Sequence, residues 1–168
     1  MRRTVLLKQF LFLILIAIIF TSCKSTTVAT SKTDKRNTTY LVEQIIKSAS
    51  ENIGAPYKSA GVTKSGFDCS GLVFSTFKQF DIKLPRSSVE QSKVGTDLGK
   101  NISKAKKGDL IFFKTNHRSQ INHVGIVIET KEDELEFIHS STSKGVIISS
   151  TKEPYYDRTF AQLNRILP

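Results

Sequence analysis

Residues 66–75 read GFDCSGLVFS, a stretch in which an extended segment turns into an apolar helix. Asp68 or Cys69 opens this helix, which is predicted to run to about Phe80 with Phe77 and Phe80 on its apolar face. Cys69 is thus expected at a helix N-terminus, where unpaired backbone N–H groups favour negative charge. The stretch therefore predicts both a core helix and a thiol in a position suited to chemistry.

Residues 1–22 have the layout of a secretory signal peptide. Three basic residues accompany an apolar run from Phe10 to Phe20, which is shorter than the ~20 residues that a membrane-spanning helix needs. The run ends in Thr21-Ser22-Cys23, and small residues followed by cysteine look like a bacterial lipobox. We expect a lipid on Cys23 and a place in the cell envelope, anchored in the outer membrane and facing the periplasm. An uncleaved anchor helix is the alternative.

The chain after the signal peptide divides into a tether and one domain. After its first cysteine, the segment 23–37 contains only Val28 and Ala29 as apolar residues, so it cannot bury a core. We expect this segment to be a flexible tether. Residues 38–168 have the usual length of a single domain with one hydrophobic core.

The net charge says little about partners. It is +10 for the whole chain and +7 without the basic residues of the signal peptide, with 22 basic against 15 acidic residues. Such a charge suits an anionic polymer or surface. The basic residues are scattered rather than clustered with aromatic residues, and an exported lipoprotein meets lipid and cell wall. We therefore expect no nucleic-acid partner, and we expect a monomer.

The order of the predicted elements indicates the α+β class. A first helix is predicted over Tyr40–Asn52, and a short third helix follows Pro85 with Ser87 or Ser88 as its cap. From Gly108 the apolar period changes to two, and the segments DLIFFK, HVGIVIE, LEFIHSS and GVIISS are predicted to be strands. Helices followed by a run of strands indicate an antiparallel sheet against which the helices pack.

Cys69 is the only cysteine left once Cys23 is assigned to a lipid, so a disulfide framework is excluded. In an oxidising compartment, such a thiol is either buried and inert or used as a nucleophile. A free thiol with a pKa of about 8.5 needs an adjacent base to react at neutral pH. The candidates for this base are the three histidines, His117, His123 and His139.

Two of the histidines are predicted to act together. His117 lies in a polar loop, where a histidine is most often solvated. His123 begins one predicted strand and His139 lies near the end of the next, with TKEDE between the strands. A loop centred on Lys131 places the two side chains opposite each other, with Cβ atoms about 5 Å apart. One imidazole can then act as base while the other fixes its tautomer and orientation.

Two other interpretations of these residues stay open. Cys69 alone is equally a small buried apolar residue, with the two histidines as satisfied residues of the sheet. A metal site is the second alternative, although a clear fourth ligand and the short spacings of metal-binding motifs are missing.

Seven motifs along the domain resemble the NlpC-type cysteine peptidases of the bacterial cell wall, which are papain-like enzymes in compact form. They are IGAPYKSAG, GFDCSGLV, LPRSSVEQ, KKGDLIFF, NHVGIVI, FIHSSTSKGVIISS and EPYY. The resemblance implies hydrolysis of peptidoglycan stem peptides through a thioester, without a metal or organic cofactor. It favours the D-alanyl to diaminopimelate cross-link. A D-glutamyl to diamino-acid bond, acyl transfer by the same Cys-His pair, and non-enzymatic wall binding are the alternatives.

The resemblance also implies the roles of the reacting residues. Cys69 is the expected nucleophile, His123 the base and His139 the residue that orients the base. The loop between the two histidines is longer than the family pattern, and its effect on access to the site is open at this level.

Four further residues match family positions around the substrate. Tyr57 is expected beside the nucleophile, where it binds the oxyanion or the substrate. Asp68, Ser70 and Arg86 match positions that line the substrate groove. Asp68 and Ser70 are equally candidates for helix caps, and Arg86 for a surface ion pair.

Overall fold

The structure, a computed structural model, describes residues 27–116 and 119–168, with side chains from residue 34 onward. The signal peptide, Cys23 and His117 lie outside the described residues. The larger compact unit of the chain spans Asn37–Pro168. Within the described ranges, no helix has the length and apolar character required to cross a membrane.

The first helix is longer than predicted. Helix α1 spans Thr27–Ser50, whereas its predicted start was Tyr40. Residues 27–37, which were predicted as part of a flexible tether, belong to this helix. No proline or glycine precedes Gly54 in the sequence, so nothing stops the helix that forms around the buried Ile45 from extending towards the N-terminus.

The elements that follow α1 begin with a small hairpin and two helices. Strand β1 (Val62–Thr63) pairs with β2 (Gly66–Phe67), and helix α2 (Cys69–Lys78) follows directly. Helix α3 (Ser88–Gln91) has Ser87 as its cap, as predicted. The remaining elements are β3 (Thr96–Gly99), a 3-10 helix (Ile102–Lys104), β4 (Leu110–Phe113), β5 (His123–Thr130), β6 (Leu135–Ser141), β7 (Gly145–Ser150), α4 (Pro154–Thr159) and β8 (Phe160–Arg165).

Six strands form one antiparallel sheet in the order β3-β8-β4-β5-β6-β7, which confirms the α+β prediction. The four predicted strands are β4 to β7. Strand β8 escaped prediction because Asn164, a polar residue, takes a fully buried position within it. The Asn164 amide donates to the backbone carbonyls of Ser92 and Val94, which satisfies it inside the protein.

The sheet carries apolar clusters on both faces. Alternate residues of β4 point to opposite sides, as a strand requires. Leu110 and Phe112 pack in the cluster that includes α1 and α2, as predicted. Phe113 packs instead in the cluster that includes Tyr156 of α4 and Phe160 of β8. Rings of this second cluster contact both histidines, since Phe113 lies against His123 and Tyr156 against His139.

The β5–β6 hairpin has a different register from the predicted one. Ile126 pairs with Ile138, whereas a loop centred on Lys131 would pair Ile126 with Glu136. The last pair of the hairpin is Thr130 with Leu135, so the loop occupies residues 131–134. A bulge between Val127 and Glu129 also shifts the register near the end of β5. The prediction that His123 and His139 lie directly opposite each other is therefore wrong by two residues.

The shift of two residues keeps both histidines on one face of the sheet, since side chains alternate with a period of two. Continuing the observed register places Gly125 opposite His139. A Cβ atom on Gly125 would lie 2.8 Å from the Phe137 ring and 3.2 Å from the His139 Cβ. The glycine thus keeps open the space beside His139.

Candidate active site

The thiol of Cys69 lies where the N-terminus of α2 meets the start of β5. Its Sγ is 3.9 Å from the backbone oxygen of Asn122, and the backbone N–H of Val124 also faces it. Asn122 and Val124 flank His123, which is the first residue of β5. The fold therefore brings the predicted nucleophile next to the predicted base, although 54 positions separate them in the sequence.

The electrostatic surroundings keep the thiol protonated. Burial raises the pKa of Cys69, and the negative charge of Asp68 raises it further. The backbone N–H groups of Val124, Ser70 and Cys69 act in the opposite direction without compensating. The helix N-terminus alone is therefore insufficient to form a thiolate, and reaction at neutral pH requires transfer of the proton to a base.

His123 and His139 share a hydrogen bond. The Nε2 atom of His123 lies 2.9 Å from the Nδ1 atom of His139, and the two rings meet edge to face. This contact leaves Nδ1 of His123 as the nitrogen that can accept the thiol proton. Such an arrangement requires the proton of neutral His123 to lie on Nε2, from which it is donated to His139.

Both imidazoles are neutral at pH 7. Burial lowers the pKa of His123 to about 4. Burial, followed by the proximity of His123, lowers the pKa of His139 to about 3. His139 is fully buried, and His123 retains 9% of its exposure. A neutral imidazole is the form that can take up a proton, so His123 is in the protonation state that its predicted role as base requires.

On its other side, His139 contacts two hydroxyl groups that the sequence analysis did not select. Its Nε2 lies 3.2 Å from the Oγ of Ser149 on β7 and 3.2 Å from the hydroxyl of Tyr156 on α4. The signal available in the sequence was their position inside the motifs GVIISS and EPYY. Pattern alone gave no reason to join these two segments to one histidine.

Asp68, Ser70 and Arg86 form one hydrogen-bonded cluster beside the thiol. The Arg86 guanidinium donates to both Asp68 carboxylate oxygens, at 2.6 and 2.9 Å, and to the Ser70 hydroxyl at 3.0 Å. Asp68 also caps α2 by accepting the Gly71 N–H at 2.6 Å. The helix-cap interpretation of Asp68 and the ion-pair interpretation of Arg86 therefore both hold geometrically, while Ser70 lies within the helix.

The charged cluster is open to solvent on one side. Burial acts to raise the pKa of Asp68, but hydrogen bonds from Arg86 and Gly71 outweigh it and hold that pKa below its usual range. The Arg86 side chain is 39% exposed. Arg86 thus presents part of a guanidinium to the surface next to Cys69.

Gln91, which the sequence analysis passed over, holds this cluster in place. Its buried amide donates to the backbone oxygen of Ser70 at 3.1 Å and to that of Pro85 at 2.8 Å. The two bonds fasten α3 and the segment that carries Arg86 to the start of α2.

Tyr57 lies on the open side of the thiol. It forms an isolated parallel bridge with Phe67, the residue before Asp68, and it is 36% exposed. Burial raises the pKa of its hydroxyl, and the charges of Cys69 and Asp68 add to this effect. The phenol is therefore within electrostatic reach of the thiol and accessible from outside.

The long loop between the histidines does not border the site. Residues 131–134 follow the far end of β5, more than about 20 Å from His123 at 3.3 Å per residue. Ion pairs tie the loop to neighbouring strands, with Lys131 bound to Glu136 and Lys152 bound to Asp133. Across residues 27–116 and 119–168, no group of three or more His, Cys, Asp or Glu side chains is placed to hold a metal ion.

The match to a family model identifies the class. The NlpC/P60 family model matches residues 54–165, which include every site residue described above. The chain belongs to the NlpC/P60 family, as the motifs predicted.

Named relatives share this domain. The chain is 44% identical over 118 residues to a probable endopeptidase NlpC homolog of Haemophilus influenzae, covering 70% of this chain and 58% of that protein. It is 42% identical over 115 residues to the murein DD-endopeptidase MepS/murein LD-carboxypeptidase of Escherichia coli, covering 68% and 57%. A gamma-D-glutamyl-L-lysine dipeptidyl-peptidase of Bacillus subtilis is 32% identical over 125 residues, covering 73% and 40%. The chain thus spans less than two thirds of the length of each.

A solved structure supports the same assignment. A crystal structure of an NlpC/P60 family protein from Bacillus cereus superposes with a TM-score of 0.67 at 32% identity, covering 76% of this chain and 40% of that one. The mixed helix and sheet architecture is therefore that of the NlpC/P60 domain.

Proposed function

We propose that this chain is a peptidoglycan endopeptidase that hydrolyses stem-peptide amide bonds with Cys69 as the nucleophile. The observation that carries the proposal is the hydrogen bond of 2.9 Å between His123 and His139, made by a base whose chain neighbours Asn122 and Val124 contact the thiol. A buried, neutral histidine pair beside a protonated thiol has the composition required for proton transfer coupled to nucleophilic attack.

The reaction follows from the placement of the protons. Nδ1 of His123 accepts the proton of Cys69 as Sγ attacks the carbonyl carbon of the scissile amide. The amide nitrogen then takes this proton from His123 and leaves as an amine, and the acyl group stays on Sγ as a thioester. A water molecule gives a proton to His123 and attacks the thioester, which releases a carboxylic acid and restores the thiol.

The exposed side of the site supplies the contacts to substrate in this proposal. Tyr57 donates its hydroxyl to the developing oxyanion or to the peptide, because it is protonated at neutral pH and lies near the thiol. The exposed part of Arg86 faces the groove, with Asp68 and Ser70 fixing its orientation. Arg86 suits a carboxylate, and stem peptides carry carboxylates.

The cross-link between D-alanine and diaminopimelate is the bond we propose, supported by the 42% identity to a relative named as a murein DD-endopeptidase. The alternative is the D-glutamyl to diamino-acid bond, supported by the 32% identity to the Bacillus subtilis relative. Digestion of purified cross-linked muropeptides, with products identified by mass, separates the two. Monomers with intact stems are expected, whereas shortened stems would favour the alternative. The Cys69→Ala variant should release neither.

We further propose that the protein is a lipoprotein anchored through Cys23 in the outer membrane, facing the periplasm. The support is the apolar run that ends in Thr-Ser-Cys. The Cys23→Ala variant should lose the lipid and move to the soluble fraction. A variant that stays in the membrane with the same detergent requirement would contradict the anchor.

A further inference from the structure

The contacts of His139 on the side away from His123 are fully enclosed. Ser149 and Tyr156, whose oxygens both lie 3.2 Å from Nε2 of His139, are only 5% and 8% exposed. Burial raises the pKa of Tyr156 against a hydrogen bond from Ser149, so the phenol is protonated at neutral pH. Two neutral hydroxyl groups therefore converge on one imidazole nitrogen.

We propose that Tyr156 and Ser149 are positioning residues that hold the proton of His139 on Nε2. They thereby keep Nδ1 of His123 free to accept the proton of the thiol. This inference rests on the proposed Cys-His-His reaction and adds the two groups that select its active proton arrangement.

Only one of the two tautomers of His139 permits catalysis. A proton on Nδ1 of His139 would be donated to Nε2 of His123, and the single proton of neutral His123 would then occupy Nδ1. His123 could not accept the thiol proton in that state. With the proton on Nε2 of His139, its Nδ1 accepts the hydrogen bond from His123, and Nδ1 of His123 remains an acceptor.

The two hydroxyl oxygens favour the productive tautomer. Because Ser149 donates a hydrogen bond to Tyr156, an Nε2 atom without a proton would be offered only one donor, the Tyr156 hydroxyl. An Nε2–H, in contrast, is shared between two oxygens that each carry two lone pairs. When His123 takes up the thiol proton, both of its nitrogens become donors, and His139 must then offer Nδ1 as acceptor. The oxygens of Ser149 and Tyr156 are already in place to receive the Nε2–H, without reorganisation during the reaction.

The ring of Tyr156 is held independently of its hydroxyl. It packs edge to face against Phe113 at 5.3 Å, Phe137 at 5.0 Å and His139 at 5.2 Å between ring centroids. The Tyr156→Phe variant therefore removes one oxygen and keeps the packing. Ser149 lies opposite Phe137 in the β6–β7 ladder, and Ser149→Ala leaves that backbone pairing intact.

The direct test is the ring-nitrogen NMR spectrum of the full chain labelled with ¹⁵N-histidine, which reports the tautomer of each imidazole. We expect wild-type His139 to carry its proton on Nε2, and each single variant, Tyr156→Phe and Ser149→Ala, to keep it there. The double variant should show a mixture of tautomers or the proton on Nδ1. A wild-type His139 protonated on Nδ1, or a double variant with the wild-type spectrum, would overturn the inference. The wild-type spectrum decides even if the double variant does not fold.

Kinetics on muropeptides provide the second readout. Each single variant should lose less than about 3-fold in kcat, and the double variant about 10- to 100-fold, with KM unchanged in both cases. Ser149→Thr in the Tyr156→Phe background keeps the hydroxyl at position 149 that the double variant lacks, and it should retain the kcat of Tyr156→Phe. Equal and additive losses from the two single variants would contradict shared positioning. If the wild type hydrolyses no muropeptide but shows the Nε2 tautomer, the proposed function fails while the positioning role stands.

Discussion

Two pairs of polar residues lie near Cys69, and they differ in burial and in charge. The His123–His139 pair is buried and neutral, and its ionisation is suppressed by the low dielectric of its surroundings. The Asp68–Arg86 pair is charged, with an Arg86 side chain that is 39% exposed and an Asp68 carboxylate whose pKa is held low. A neutral imidazole can accept a proton, whereas the charged pair is held in one geometry by its hydrogen bonds. The comparison supports the proposed roles, which are proton transfer for the first group and the fixing of substrate and helix for the second.

The largest effect is expected at the proton acceptor. Since the thiol is protonated at rest, His123→Asn should reduce kcat/KM by at least about 10²- to 10⁴-fold. It should match Cys69→Ala, because an amide cannot take up the thiol proton. Muropeptide hydrolysis measures both variants, and thermal unfolding verifies that they fold. Substantial activity in His123→Asn would remove the base from the mechanism.

The next effect tests the orienting role of His139. The Oδ1 of an asparagine is as many bonds from Cα as the Nδ1 of His139, so His139→Asn can still accept the hydrogen bond from His123. We expect kcat to follow the order wild type, Asn, Gln, Ala, with His139→Ala losing about 10-fold or more and less than His123→Asn loses. KM should change little, because the buried ring has no access to substrate. A fully active His139→Ala would show that His123 needs no partner.

A smaller effect, of a different kind, is expected at the charged pair. Arg86→Lys keeps the charge but cannot bind both oxygens of Asp68, so the groove loses a fixed donor. We expect KM to rise about 10-fold with kcat within about 3-fold of the wild type. Asp68→Asn is the matched control, because it retains an acceptor for the Gly71 N–H while removing the negative charge. A loss confined to kcat in Arg86→Lys would place the pair in the chemistry instead.

Local features of the fold could be predicted from the sequence, whereas contacts between distant segments could not. The helix start at Cys69 and the strands of the sheet core were predicted because each pattern is contained in one segment. The register of His139 was missed because a bulge in β5 and the true loop length depend on the folded hairpin. Ser149 and Tyr156 were missed because they reach His139 from two separate elements.

The length of helix α1 and the burial of a polar residue in β8 were also difficult to predict. The polar segment 27–37 has the composition of a tether, yet it is helical, since a weakly helical sequence without glycine or proline continues a helix that tertiary packing has started. Asn164 is of a residue type that favours loops, yet it is buried in β8. Its side-chain amide can be buried because it donates hydrogen bonds to two backbone carbonyls of another segment. In both cases, packing outweighed local preference.

The smallest effect concerns pH, and it separates activity from stability. If His123 had the ordinary histidine pKa of 6.5, only about one thirtieth of it would be neutral, and thus active as a base, at pH 5. Because burial lowers the pKa of His123 to about 4, kcat/KM should fall less than about 2-fold between pH 7 and pH 5. Below pH 4 it should fall about tenfold per unit, with an apparent pKa that belongs to the coupled pair.

Stability should respond earlier than activity as the pH falls. The pKa values of both histidines are lower in the folded protein than the usual 6.5, so below that pH the unfolded chain binds more protons than the folded one. The stabilisation present above pH 6.5 is therefore lost progressively down to about pH 3 to 4, and Tm should decrease over that window. His139→Gln, which has no titrating ring, should show a shallower decrease. If kcat/KM fell with an apparent pKa near 6.5 and Tm stayed constant, the histidine pair would be solvated and charged in solution, and the contrast with Asp68–Arg86 would disappear.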